Sequence, residues 1–221
     1  MELVEHLGKL LLHFNQENLA EFIKFCGVWT YLIMFAVIFC ETGLVVTPFL
    51  PGDSLLFLLG AMARGGADGT DPLSVNLLFV LLSVAAIVGD TVNYWLGAYV
   101  GPRAFTGRIR FLKKEYLERT HRFYERYGGK TIILARFVPI VRTFAPFVAG
   151  IGAMNYTRFI VYNVVGGIAW VAIFLYGGYW LSHWLQEQGI EFRWVAVVII
   201  VVSVLPMGVE FVRAKMRRSA E

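Results

Sequence analysis

The chain has 221 residues, of which 57% are hydrophobic and 16% charged, with a mean hydropathy of +0.62 and a formal net charge of +4. That balance excludes an ordinary soluble domain and predicts an integral membrane protein with room for one membrane domain. The excess positive charge flanks apolar runs, where it sets membrane orientation and points to no nucleic-acid partner; Cys26 and Cys40 make no disulfide framework.

In residues 1–25, Leu3, Leu7, Leu10, Leu11 and Phe14 recur at near-helical spacing among charges. They predict an amphipathic helix, too charged to span, lying at the interface or against the bundle. It has no basic n-region or cleavage site of a signal peptide and is expected to stay on the mature protein. The membrane domain is expected over 28–212. Its first part, about 29–62, runs apolar from Trp29 to Cys40 apart from Thr30. Glu41-Thr42-Gly43 and then Pro48, Pro51 and Gly52 interrupt it before a second apolar run, Leu55 to Met62. Each half is shorter than the roughly 20 residues that a crossing needs. The pattern predicts a re-entrant hairpin broken at Pro48, Pro51 and Gly52; one long kinked helix, with Asp53 near an interface, is the alternative.

A span is expected at 77–99, ending in the aromatic belt Asn93-Tyr94-Trp95. Asp90, after Gly89, is either a third acid facing the site or, more simply, an acid close to headgroups. Between Arg103 and Lys130 nine basic residues face three acids, which marks a cytoplasmic segment with a surface helix at about 112–127. A second broken stretch, 131–152, carries Arg136, Pro139, Arg142 and Pro146 within eleven residues. On an unbroken helix the two arginines, six apart, would point away from each other; breaks at Pro139 and Pro146 let both face one cavity. Spans at 157–184, with Trp170 inside, and 194–212 follow, and the basic tail 213–221 places the C-terminus in the cytoplasm.

The charge rule runs the spans after the two broken stretches in opposite directions, and Phe49-Leu50-Pro51 resembles Phe137-Val138-Pro139. The fold class expected is therefore an all-α integral membrane protein, an inverted repeat of two re-entrant helical hairpins plus transmembrane helices. Ionisable groups at membrane depth are costly and mark function. Hairpin tips meeting would bring Glu41 and Asp53, as proton-coupling acids, to Arg136 and Arg142, as phosphate-binding cations. A phosphate arriving at the guanidiniums would free the acids to take up protons; a static pair that only staples the hairpins is the plainer alternative. Asp90, Asn93 and Arg158 are secondary candidates. No metal or other cofactor is expected, and oligomeric state is not legible.

The segments CETGLVVTPFLPGDSLLF, Gly89-Asp90…Asn93-Tyr94 and GGKTIILARFVPIVRTFAPFVAGIGAMNY resemble the bacterial DedA family of SNARE-associated, VTT-type membrane proteins, over nearly the whole chain. The resemblance implies that the family's essential acids match Glu41 and Asp53, and its essential arginines Arg136 and Arg142. It further implies a multi-pass protein of the bacterial inner membrane with facing re-entrant loops. Its implied role is to return undecaprenyl phosphate across that membrane, supporting envelope synthesis and proton-motive-force homeostasis. The function expected is a proton-coupled transporter or flippase of undecaprenyl phosphate. An energy-independent phospholipid scramblase, to whose eukaryotic forms the family is similar, and an ion or drug–proton antiporter are the alternatives, with a structural assembly factor behind them. A membrane phosphatase would need a nucleophile and an acid–base group at the site. His6, His13, His121 and His183 all lie outside both broken stretches, so no enzyme is expected.

Overall fold

The computed structural model describes residues 23, 25–44, 52–63, 73–104, 129–152 and 154–188. Nearly all of the expected helix over 1–25, the breaks at Pro48 and Pro51, the surface helix at 112–127, the span at 194–212 and the tail at 213–221 lie outside these residues. Every element among the described residues is helical, with no strand: α1 (Trp29–Gly43), α2 (Gly52–Met62), α3 (Val75–Ala104), α4 (Lys130–Ala135), α5 (Pro139–Ile151) and α6 (Tyr156–Glu187).

Val75–Gly101 of α3 and Tyr156–Ser182 of α6 are each 27 residues long and apolar enough to cross a membrane. At 1.5 Å per residue each extends about 40 Å, more than the roughly 30 Å hydrocarbon core. Both helices overrun the expected spans, 77–99 and 157–184, at each end. Asn155 sets the start of α6: its Oδ1 accepts the backbone N–H of Arg158 at 3.3 Å, satisfying one of the four unpaired donors at a helix N-terminus. The other helices are shorter. Glu41-Thr42-Gly43, expected in the interruption, instead forms the last turn of α1, and Gly52 opens α2.

The break in the second stretch is fully visible. After α4 the backbone tightens through three successive i→i−3 bonds, Arg136 to Ile133, Phe137 to Leu134 and Val138 to Ala135, the pattern of a 3₁₀ turn. Pro139 then imposes extended geometry on the residue before it; Val138 has φ −112° and ψ 109°. A ring with no N–H and a preset φ suits the first position of a helix, and Pro139 is where α5 begins. The break therefore occupies 136–138. Pro146, expected as another break, lies inside α5, which continues through it to Ile151; membrane helices tolerate an interior proline when neighbouring groups make good the lost bond.

By its contacts the chain divides into two compact units. One comprises 1–30, 51–75 and 174–221; the other comprises 31–50 and 76–173. In the first unit α2 crosses the C-terminal part of α6 backbone to backbone: Gly60 lies against the carbonyl of Leu175, and Gly178 against that of Phe57. In the second, α3 crosses α5 in the same manner, with Gly97 against the carbonyl of Phe147 and Gly150 against that of Tyr94. Small residues at such crossings allow the close approach that gives membrane helices their dispersion contact. Around the second crossing Tyr94, Ile132, Ala135, Ala145, Ala149, Met154 and Phe159 form a buried cluster. Tyr94 stacks on Phe159 at 4.5 Å between centroids and donates its hydroxyl to the carbonyl of Met154.

Helix α3 shows how burial is patterned. Val80, Val84, Val88 and Val92, four apart, point outward, while Ala85, Ala86, Gly89, Asp90, Asn93 and Gly97 are buried. The apolar branched side chains face outward and the small and polar ones face the protein, as expected where the surroundings are lipid.

A methyl group at position 97 has no space beside the Phe147 carbonyl, so overpacking predicts a loss of about 2 kcal/mol for Gly97→Ala. Its melting temperature in detergent is expected to fall by roughly 4–8 °C. Gly177→Ala, whose new methyl would only touch the Phe57 ring at 4.0 Å, should melt within about 2 °C of the parent.

Candidate functional site

Glu41 reaches the interior because Met34, Ile38 and Glu41 fall on one face of α1, the first two fully buried and Glu41 1% exposed. Asp90 reaches it through the buried stripe of α3 and is 2% exposed. Arg136 comes from the 3₁₀ turn between α4 and α5 and is 4% exposed. Arg142 stands one turn into α5, where its N–H closes the first turn on the Val138 carbonyl at 3.0 Å. All four belong to the second unit.

They form two ion pairs. Arg142 donates from Nη2 to Oε1 of Glu41, a partner 101 residues away in the chain. Arg136 donates from Nη2 to Oδ2 of Asp90 and to Oδ1 of Asn163. The pairing differs from the expected one, in which the acids of the first broken stretch would serve both arginines. Asp90, expected either to face the site or to lie close to headgroups, is a buried partner of Arg136. Asp53 stands in the first turn of α2, half-buried, in the other unit. Arg158 is exposed in the first turn of α6, and its backbone contributes to the helix cap rather than its guanidinium to the site.

The two arginines are held differently. Arg136 lies in a rigid cradle. Asn163 orients it while donating its own amide to the carbonyl of Ile87 at 3.0 Å and to Oγ1 of Thr91 at 3.4 Å. Gly166 and Gly167 give the side chain its space: a Cβ at Gly166 would lie 3.3 Å from Cδ of Arg136, and one at Gly167 would lie 3.5 Å from Nη2. Arg142 has a softer environment. Its guanidinium carbon is 5.3 Å from the centroid of the Trp170 ring, a cation–π contact on a fully buried indole. Asn93, completely buried, donates to the carbonyls of Thr42 at 3.1 Å and Thr143 at 2.7 Å.

Between the pairs is a cavity lined by Thr42, Asp90, Arg136, Arg142, Thr143 and Trp170. A water-sized sphere can move its centre over about 10 Å³ there, room for about one water molecule. Two guanidiniums and an aromatic wall suit an oxyanion, but the Asp90 carboxylate shares the cavity, the Thr42 hydroxyl already donates to the Ile38 carbonyl at 2.9 Å, and a phosphate group exceeds this volume. A larger anion needs a carboxylate to give way, and Arg142, paired with Glu41, is the guanidinium that also has an aromatic ring to rest on. Among the described residues no group of His, Cys, Asp and Glu could hold a metal ion.

Asn163, Trp170 and the glycine pair were not marked as site residues by the sequence. The available signal was periodicity: Asn163, Gly166, Gly167 and Trp170 share the buried face of α6, and a polar residue one turn from a glycine pair inside a span is a recognisable cradle for a long side chain.

The model of the VTT domain family matches residues 50–180. Protein DedA of Escherichia coli (strain K12) is 50% identical over 216 residues, covering 97% of this chain and 96% of that protein. An uncharacterized membrane protein of Mycobacterium tuberculosis is 40% identical over 186 residues, 83% of this chain and 80% of that one. Inner membrane protein YqjA of Escherichia coli (strain K12) is 36% identical over 153 residues, 69% of this chain and 67% of that one. No solved structure matches.

Asp90→Asn leaves Arg136 buried without its counter-charge, a change that typically costs about 3–5 kcal/mol. The melting temperature should drop by roughly 10 °C. Adding Arg136→Gln, which removes the stranded charge, should restore more than half of that drop in the same measurement.

Proposed function

The chain belongs to the DedA family of VTT-domain membrane proteins, and from that premise we propose that it is a proton-coupled transporter of undecaprenyl phosphate in the bacterial inner membrane. The observation that carries this reading is the Arg142–Glu41 pair beside the Arg136–Asp90 pair, with a small cavity between them. In the resting state each guanidinium is neutralised by a carboxylate. A lipid phosphate offers Arg142 a doubly bonded anionic partner in place of Glu41. Trp170 keeps the guanidinium in place during the exchange through its π face. Glu41, released into apolar surroundings, takes up a proton rather than remain charged and unpaired. Lipid binding and proton uptake are then one event, and release of the phosphate reverses both. Arg136 stays with Asp90 and Asn163 and supplies a fixed positive wall.

Asp53 is the second acid that this reading assigns to proton coupling, from the first turn of α2. The two broken stretches, as halves of an inverted repeat, would give the site access from either face in turn, with the C-terminus in the cytoplasm. The carrier's polyprenyl tail would remain in lipid while its phosphate alone visits the site. No bond-making step and no cofactor are assigned. The small size of the cavity favours gated exchange over the open polar path that an energy-independent scramblase would use.

Reconstitution into liposomes with labelled undecaprenyl phosphate, with and without a proton gradient, tests the proposal. Arg142→Lys should slow lipid movement by at least about tenfold, since an ammonium cannot bond phosphate with two parallel N–H groups. Glu41→Gln should remove the response to the gradient. Movement unchanged by both substitutions refutes the site, equal movement of bulk phospholipid supports a scramblase instead, and release of inorganic phosphate would make the protein an enzyme.

A further inference from the structure

We propose that Asn93 is the positioning residue of the exchange pair: a single side-chain amide that fixes the distance between the backbone carrying Glu41 and the backbone carrying Arg142. Thr42 directly follows Glu41, and Thr143 directly follows Arg142. Asn93 Nδ2 donates one hydrogen to the carbonyl of each, at 3.1 Å and 2.7 Å. Both partners are acceptors, so only the NH₂ group of the amide can face them, and the orientation of the side chain is chemically determined.

The two carbonyls suit this role. Thr42 lies in the last turn of α1, where helix carbonyls have no intrahelical donor. Thr143 lies in the turn that Pro146 weakens, since the proline ring offers no N–H to the carbonyl of Arg142 one turn before it. Asn93 thus bonds the backbone on the residue next to each charge, at the open end of α1 and, in α5, beside the Arg142 carbonyl that Pro146 leaves without a helical donor. It is completely buried in the stripe of α3 that also carries Gly89 and Asp90. Gly89 and Gly43 meet backbone to backbone, a Cβ on Gly43 lying 3.3 Å from Cα of Gly89, so α1 reaches α3 one turn before Asn93. The amide touches neither carboxylate nor guanidinium. It acts on the pair only through the backbone, and its effect on transport rests on the reading above, whereas its effect on the pair does not.

Asn93→Ala removes both bonds, and Asn93→Asp keeps the shape while replacing the donor group, which provides a second variant should the first not fold. Two measurements decide. In proteoliposomes active with undecaprenyl phosphate, either variant should transport about tenfold more slowly, and undiminished transport in that preparation overturns the proposal. In detergent, a thermal double-mutant cycle joins each variant to Glu41→Gln. If Asn93 holds the pair in register, its loss matters less once the pair is broken. The combined fall in melting temperature should then be smaller than the sum of the single falls by about 3 °C or more. A strictly additive cycle means that Asn93 is only a structural bond, and overturns the proposal whatever happens to transport. If the wild-type protein moves no lipid, the transport reading falls, and the cycle alone decides the role of Asn93.

Discussion

Two guanidiniums that cannot lose their charge are held where there is almost no water, and the second unit is built around that constraint. An arginine stays protonated in a protein, so burial obliges the fold to bring a counter-charge and further acceptors to it. Arg136 receives Asp90 and Asn163; Arg142 receives Glu41 and the face of Trp170. These partners come from α1, α3 and α6. The arginines themselves come from one short stretch interrupted by a 3₁₀ turn, so the ionic requirement of that stretch fixes where three other helices must present their polar residues.

The two pairs illustrate how similar charges acquire different roles from their supports. Around Arg136 every contact is doubled: a carboxylate and an amide for the guanidinium, a glycine pair for the aliphatic stem, a threonine and a carbonyl behind the amide. Such a network is rigid because each bond orients the next, although it is built on Nη2 and leaves the buried Nε of Arg136 without a hydrogen-bond partner. Around Arg142 the Glu41 carboxylate is joined by an aromatic face, and an indole accepts a cation over a range of positions. Rigidity and exchangeability therefore sit side by side, separated by a cavity the size of a water molecule.

The sequence carried much of this and failed at identifiable places. Charges inside apolar runs marked Glu41, Arg136 and Arg142, and Pro139 marked the break, because both signals are local: each violates what its immediate neighbours would permit. Pairing is not local. Glu41 lies 101 residues from Arg142, and Asp90 lies 46 from Arg136, so composition could not say which acid serves which base. Asp90 was legible only as a third acid facing the site or an acid close to headgroups, because position along α3 is local and position around α3 depends on which face the protein covers. Counted with Ala86, Asn93 and Gly97, it is on the buried face. Pro146, expected as a break, stands inside α5, because a rule for isolated helices does not hold where neighbouring groups make good the lost bond. Trp170 was hidden by being ordinary, since an aromatic residue in a span says nothing until a cation is known to stand over it.

The outward row of Val80, Val84, Val88 and Val92 on α3 has a consequence for the kinds of change this protein can absorb. In a water-soluble domain the residues least open to replacement are the greasy ones, because they fill the core. Here the greasy side of the helix meets lipid, where leucine, isoleucine or phenylalanine would serve as well, and the narrow alphabet is on the inner side, where glycine, alanine, asparagine and aspartate have no substitutes. Sequence drift should accumulate where hydropathy is highest and stop where it is lowest, so a hydropathy profile of this helix doubles as an inverted map of its freedom to vary.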